Sequence, residues 1–534
     1  MAKQFYSLFS SLIFLGLIFS THQDNNYVIN TYDSQYGVYI GEFSNLLGAN
    51  ISGKIFVVNE TSLQILNFTL NENISDLYFW LDKSEHPTKD GIKVPTFEYG
   101  ISELGKYDLQ ENDRVVLNLP KRFKIVNFKS LSLYSLNTDT NYGSVQIPDN
   151  LSPPKPQFLG QEFKGSRYSL SSGPILITDR KTIKIFGFTF DADKAPDGYF
   201  FAGKGTNVAS NTGTKIPIKG RDTQENIKPM NEKYRGGQDI VLELPDDYDI
   251  FSIDWLSVYI FRFSVDLAHV PITNISQKVP PYVPIQKSYG EDFDGESWIV
   301  NTLLGTSSRT NFTFQLGPSG GMKGYASMTH LKPSKNVWYV NGYLAEIYLK
   351  RGETYNFIIE GGNEDKNSGY YNALYFSEDK YGGYEKLSNN EKQDTIIVAG
   401  GEKMAGRRCE WTQDNENDSP DNYDSFTSYK KTLKLSCNTN GKSVSFSFTP
   451  TKDTPSLLYF NSYNNYNMGS KIYIVDEIPT TIEDIHEEPY HHDAWLEQQS
   501  VRKSPRKTNS SPCLSTFNNI IYLSIGIILY QLFN

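Results

Sequence analysis

Two stretches of the chain carry the same alternation of apolar and polar positions. Residues 52–80 read SGKIFVVNETSLQILNFTLNENISDLYFW, and residues 172–201 read SGPILITDRKTIKIFGFTFDADKAPDGYFF. From Ser52/Ser172 through Phe68/Phe188 the second copy follows the first by 120 residues (172 − 52), and at Trp80/Phe201 the offset is 121. Each copy sets Ser-Gly before two alternating runs rich in Ile, Val, Phe and Thr. Period-two alternation sends successive side chains to opposite faces of an extended chain, so both runs are predicted as β-strands. Each copy then closes on an aspartate and three aromatics, Asp76 with Tyr78-Phe79-Trp80 and Asp197 with Tyr199-Phe200-Phe201. A repeat this long exceeds the solenoid range of about 20–50 residues and predicts a pair of β domains.

The pairing continues downstream. Lys93-Val94-Pro95 matches Lys215-Ile216-Pro217, Val115–Pro120 matches Ile240–Pro245, and Leu131–Tyr134 matches Leu256–Tyr259. The offset drifts to 125 between these strands, where loops absorb insertions. The predicted domains are therefore 36–148 and 158–272, each an antiparallel β-sandwich or barrel. Pro-rich segments at 153–156 and 279–284 predict stiff spacers that hold domains apart. Residues 295–476 show further short alternating strands between Gly and Pro turns, which predicts a third β-sandwich. A polar stalk is expected over 479–511. The fold class expected is all-β.

The termini set the compartment. Residues 1–22 hold Lys3, an apolar run Leu8–Phe19, and small residues Ser20 and Thr21, the layout of a secretory signal peptide. Within 512–534 the run Phe517–Phe533 is apolar, with no Lys or Arg after it. The small residues Asn509 and Ser510 precede it, as in a glycolipid (GPI) anchor signal. The alternative is a single membrane span, although spans usually keep cytoplasmic Lys or Arg. Either way the protein is expected on the extracellular face of the plasma membrane.

Nine Asn-x-Ser/Thr sites suit that location, and Asn50, Asn59, Asn67, Asn73, Asn150, Asn274 and Asn311 are the expected glycan acceptors. Asn417 stands close to Pro420 and Asn509 within the anchor signal, so neither is counted. Of three cysteines, Cys513 falls in the tail, leaving Cys409 and Cys437 for one disulfide worth about 2–4 kcal/mol. The net charge of −10 argues against a nucleic-acid partner.

The repeat resembles the DM13 domains of the Knickkopf/Skeletor group of extracellular proteins. The shared features are Ser-Gly before a β run, Asn67-Phe68-Thr69 or Gly187-Phe188-Thr189, Asp…Tyr-Phe-Trp, the Leu-Pro turn, and Trp255-Leu256-Ser257-Val258. That group's pattern sets a cysteine, taken as a redox centre, where this chain has Ser135 and Ile260. The third region resembles the group's plastocyanin-like, cupredoxin-like sandwich, a likeness that also pairs Cys409 with Cys437. The DOMON domain usual between these parts has no room. Phe312–Pro318 reads as its trailing edge, and the domain itself as lost.

A blue-copper centre needs two His, a Cys and a weak axial Met. The resemblance puts those positions at Asn372, Ser462, Asn465 and Met468, so only the weakest ligand remains and no cofactor is expected. His486, His491 and His492 in the stalk are expected to be solvated, as is the acidic stretch Asp414–Asp424, which lacks regular calcium-loop spacing. No nucleophile motif or phosphate loop is present, so no catalytic residue is expected. Tyr78, Trp80, Tyr199 and Phe201 share one face of their strands: exposed, they would stack on sugar rings, and packed, they would be core.

The resemblance implies a non-catalytic, surface-anchored protein that organises extracellular matrix or cuticle by binding chitin-like polysaccharide or matrix protein. The alternatives are an electron-transfer protein of DOMON and cupredoxin descent, and an adhesion protein.

Overall fold

The structure, a computed structural model, describes residues 28–484 apart from 71–73, 98–99, 102, 105–113, 121–122, 287, 292, 294, 364–369, 416, 440 and 483. Its elements are overwhelmingly strands, as expected.

The first repeat forms two antiparallel sheets. One runs, in spatial order, Tyr32–Asp33, Gly37–Glu42, Ile51–Asn59, Ser62–Leu70 and Arg114–Asn118, and the other Ile92–Lys93, Leu77–Asp82, Ser130–Ser135 and Thr140–Gln146. Ile55, Leu63, Ile65 and Leu117 of one pack with Phe79, Leu81, Leu131 and Leu133 of the other. The second repeat builds the same pair of sheets from Gln157–Leu159, Ile175–Ile177, Thr182–Asp191 and Lys233–Glu243, and from Gly213–Lys215, Gly198–Gly203, Trp255–Ile260 and Val265–Pro271. Register is conserved between them: Ile55 faces Ile65, and Ile175 faces Ile185.

One position shows why the repeats differ where they do. Asn67 has φ 52° and its counterpart Gly187 has φ 56°. Only Gly, Asn and Asp enter this left-handed region readily, so Asn-Phe-Thr and Gly-Phe-Thr are two answers to one backbone demand.

The third region is a sandwich of two mixed sheets. In the first, Asn301–Leu304 lies parallel to Ala345–Lys350, which lies parallel to Ser470–Val475. Leu457–Ser462, Leu374–Ser377 and Ala399–Gly400 complete it. In the second, Asn311–Gly317 is central, bordered by Tyr355–Glu360, Val337–Val340 and Cys409–Gln413. The reading of Phe312–Pro318 as the edge of a lost domain is thereby corrected. The strand belongs to this sandwich, with Phe312 and Phe314 both 0% exposed. Cys409 lies opposite Cys437 on paired strands and the two are disulfide-bonded.

The second proline-rich segment is also corrected. It packs between domains and does not hold them apart. Val279 is 0% exposed in the core of the second repeat. Its carbonyl accepts the Tyr32 hydroxyl of the first repeat (2.6 Å), and the Pro280 carbonyl accepts the Arg180 N–H (3.0 Å). Proline removes a donor and keeps its carbonyl, so such a segment can lie along a surface as a row of acceptors.

Among the described residues no helix is long and apolar enough to cross a membrane. The terminal segments 1–22 and 512–534, Asn73, Asn509, Ser510 and the three stalk histidines lie outside the described residues.

Candidate functional site

The four positions of the copper pattern come from separate parts of the third sandwich. Leu374 pairs with Ser462 across adjacent strands, which brings Asn372, two residues before the first strand, against the end of the second. The Ser462 hydroxyl lies 3.2 Å from Asn372 Oδ1, and Asn465 Nδ2 donates to the same oxygen at 2.8 Å. Ser462 Oγ in turn accepts the backbone N–H groups of Asn464 (3.3 Å) and Asn465 (3.2 Å). Asn372 Nδ2 donates to the Gly361 carbonyl at 3.3 Å. Asn372, Ser462 and Met468 are all buried. Amide and hydroxyl groups replace imidazole and thiolate here, and they bond to one another. This donor set does not fit copper, which calls for the softer ligands.

The repeats hold a second constellation. In the first, Trp80 pairs with Lys93 across the sheet, and in the second Phe201 pairs with Lys215. This register sets each ammonium over the tyrosine two residues before the aromatic partner. Lys93 Nζ stands 3.9 Å from the Tyr78 ring centroid, and Lys215 Nζ stands 3.5 Å from that of Tyr199. Both are cation–π contacts. A further ring approaches each lysine, from a different source. Lys215 has Phe261 of its own domain at 4.5 Å, whereas Lys93 has Tyr466 of the third sandwich at 4.8 Å.

The first repeat is thus seated on the third sandwich. Lys93 Nζ donates to the Tyr466 hydroxyl (3.2 Å), and the Lys93 backbone N–H donates to Glu391 Oε1 (3.0 Å). Glu391 also caps its own short helix, Asn389–Asp394, by accepting the Ser388 N–H at 2.7 Å. Burial pushes the Lys93 ammonium down to about 8, against the opposing pull of Glu391 and Asp76. Burial likewise raises Glu391, opposed by its hydrogen bonds from Ser388 and Lys93. Tyr78 is pushed far up, chiefly by burial and then by Asp76.

This packing corrects the proposed sugar platform. Tyr78 is 9% exposed, Trp80 1%, Tyr199 7% and Phe201 1%. Their strand neighbours Phe79 and Phe200 enter the sandwich cores, as alternation requires, but the outward face carries a second layer. Trp80 stacks on Tyr134 (5.5 Å) and donates Nε1 to the Thr88 carbonyl (2.9 Å). Phe201 is enclosed by Trp255, Tyr259 and Phe261. Open rings occur elsewhere, notably Phe158, which is 64% exposed and 6.4 Å from Phe186.

Asn50, Asn67, Asn150, Asn274 and Asn311 are exposed and Asn59 is half-buried, geometry open to glycosylation. The acidic stretch is partly built into the fold: Asp421 Oδ1 accepts the N–H groups of Met322 (2.8 Å) and Lys323 (3.0 Å), and Asp414 pairs with Lys434 (2.8 Å). Glu360 lies close to the two disulfide sulfurs, but its carboxylate is taken by Arg407 (2.9 Å) and Gln315 (2.8 Å).

The family described as Electron transfer DM13 matches residues 42–147 and 162–272, one match on each repeat. Protein Skeletor of Drosophila melanogaster, isoforms B/C, is 36% identical over 175 residues, covering 31% of this chain and 22% of that protein. Isoforms D/E match at the same identity over 12% of their length. Both repeats are DM13 domains, and over part of its length the chain is similar to Skeletor. The match spans less than a quarter of the length of either relative.

In these DM13 domains the position of the group's cysteine lies at the end of the inner strand. Ser135 faces Leu77, beside Asp76, and Ile260 faces Gly198, beside Asp197. Ser135 Oγ accepts the Thr138 hydroxyl at 2.9 Å, and Ile260 is packed in the core. Neither side chain can form a thiolate or a disulfide.

Proposed function

We propose that this DM13 protein is a non-catalytic organiser of extracellular matrix, held at the cell surface by its C-terminal segment and gripping polysaccharide or matrix protein through its β domains. The observation that carries the reading is the hydrogen-bonded cluster of Asn372, Ser462 and Asn465, which supports reading the third sandwich as a scaffold. Exposed Asn-x-Ser/Thr sites on the first and third β domains and on the connecting segments (Asn150, Asn274) support an extracellular setting. The signal-like N-terminus and the anchor-like C-terminus support secretion and a lipid tether.

The decisive experiment is sedimentation of the full-length protein, extracted in mild detergent, with colloidal chitin, alongside an optical scan and metal analysis. Binding without a chromophore is the expected result. The second reading, electron transfer, has the family match in its favour and would be adopted if stoichiometric haem or copper accompanied the protein. Release from intact cells by phosphatidylinositol-specific phospholipase C tests the tether, and no release would replace it with a span.

A further inference from the structure

Between the two DM13 domains lies a groove of about 520 Å³, within the roughly 300–1,000 Å³ range of small-ligand sites. The first domain supplies Arg114, the second Arg180, Lys181 and the loop 246–249, and the proline-rich connector supplies Tyr282. Two of the three cations are already compensated. Arg180 pairs with Asp249 and lies 4.7 Å over the Phe251 ring. Lys181 Nζ donates to the Asp246 carbonyl at 2.9 Å and reaches its carboxylate at 3.4 Å.

Arg114 differs. Its guanidinium lies 5.7 Å from the Tyr36 ring centroid, and its Nη1 is buried with no hydrogen-bond acceptor. A buried guanidinium N–H keeps its desolvation cost until an acceptor arrives, so such a group marks where a ligand's oxygen belongs. Asp247, an exposed carboxylate, also lines the groove. The Tyr282 hydroxyl is tied to Glu243, which fixes its ring as a wall.

We infer that this groove binds an oxyanion, the carboxylate or sulfate group of an acidic glycan, with Arg114 as its principal ligand. The planar guanidinium fork matches two oxygens of either group. Arg180 and Lys181 add only their residual field, and Asp247 opposes the anion. This rests on the polysaccharide-binding reading and adds to it the acidic substituent and the place where it is held.

The test measures binding of hyaluronan, heparin and neutral chito-oligosaccharides to the full-length protein by calorimetry. Hyaluronan carries carboxylate alone and heparin sulfate as well, so the two separate the sources of the oxyanion. An acidic oligosaccharide should bind and lose at least tenfold in affinity in Arg114→Gln. Asp247→Asn should tighten binding several-fold, a gain that misfolding cannot produce, and it decides the matter if Arg114→Gln fails to fold. Affinities unchanged in both variants would overturn the inference. Neutral oligosaccharides binding as tightly as acidic ones, with no effect of Arg114→Gln, would also overturn it and leave the function standing. Binding of no saccharide would remove both.

Discussion

Lys93 Nζ lies 3.2 Å from the Tyr466 hydroxyl, and this one contact joins the repeat signature of the first DM13 domain to the loop that runs from Ser462 to Met468. The equivalent Lys215 is covered by Phe261 from its own domain. The two domains are copies in fold, yet only the first presents its lysine to another domain.

That lysine sets a pH dependence. Its pKa is lowered from 10.5 to about 8, so the folded state disfavours the ammonium. The cost is complete below about pH 8 and is relieved as pH rises toward the unfolded value, so the Lys93 contribution stabilises with rising pH in that interval. Thermal unfolding should therefore show a rise between pH 8 and 10 that is flattened in Lys93→Met. An identical slope in the variant would remove Lys93 as the source.

Gly100 is a point of close approach between the same two domains. It has φ 59°, and a Cβ there would stand 2.7 Å from the Tyr381 ring. Gly100→Val should separate the first domain from the third sandwich while leaving its core intact, at a cost of about 1–3 kcal/mol. Small-angle scattering should record a larger radius of gyration. An unchanged radius with full stability would show that the contact is not needed for docking.

The frame of the third sandwich should accept the ligands it lacks. Asn372 and Asn465 meet at one oxygen beside Ser462, so the triple variant Asn372→His, Ser462→Cys and Asn465→His presents two imidazoles and a thiolate together. With copper(II) it should turn intensely coloured through thiolate charge transfer. A colourless variant that still folds would mean that the backbone has moved away from copper geometry.

Gly187 and Asn67 should be interchangeable, and neither should tolerate a β-branched residue. Gly187→Asn is expected to cost a few tenths of a kcal/mol and Gly187→Val about 1–2 kcal/mol or more, because φ is positive at that site. Urea midpoints of the two variants provide the comparison. Equal midpoints would deny the backbone explanation of the repeat's Asn/Gly difference.

Much of the fold is local, and local pattern is legible. Alternation at Ile55-Phe56-Val57 and Ile175-Leu176-Ile177 marks strands because side-chain period follows backbone geometry alone. The spacing of the duplicate predicts a matched pair of antiparallel β domains, sandwich or barrel, and the likeness to a plastocyanin-like region groups Asn372, Ser462 and Asn465. The parallel pairing of Ala345–Lys350 with Ser470–Val475 was not foreseen, since it joins strands more than a hundred residues apart and leaves no mark in either.

The amino-acid order by itself determined the all-β class, the duplication, the Cys409–Cys437 pair and the amides and hydroxyl at the positions of the copper pattern, because each depends on residue identity or on spacing along the chain. Only the tertiary structure decided that Trp80 and Phe201 are covered, that Lys93 reaches another domain, and that Arg114 keeps an unanswered N–H in an interdomain groove. Alternation tells which rings leave the sheet on the same side. What lies over that side is set by loops and domains distant in sequence, and burial depends on those neighbours.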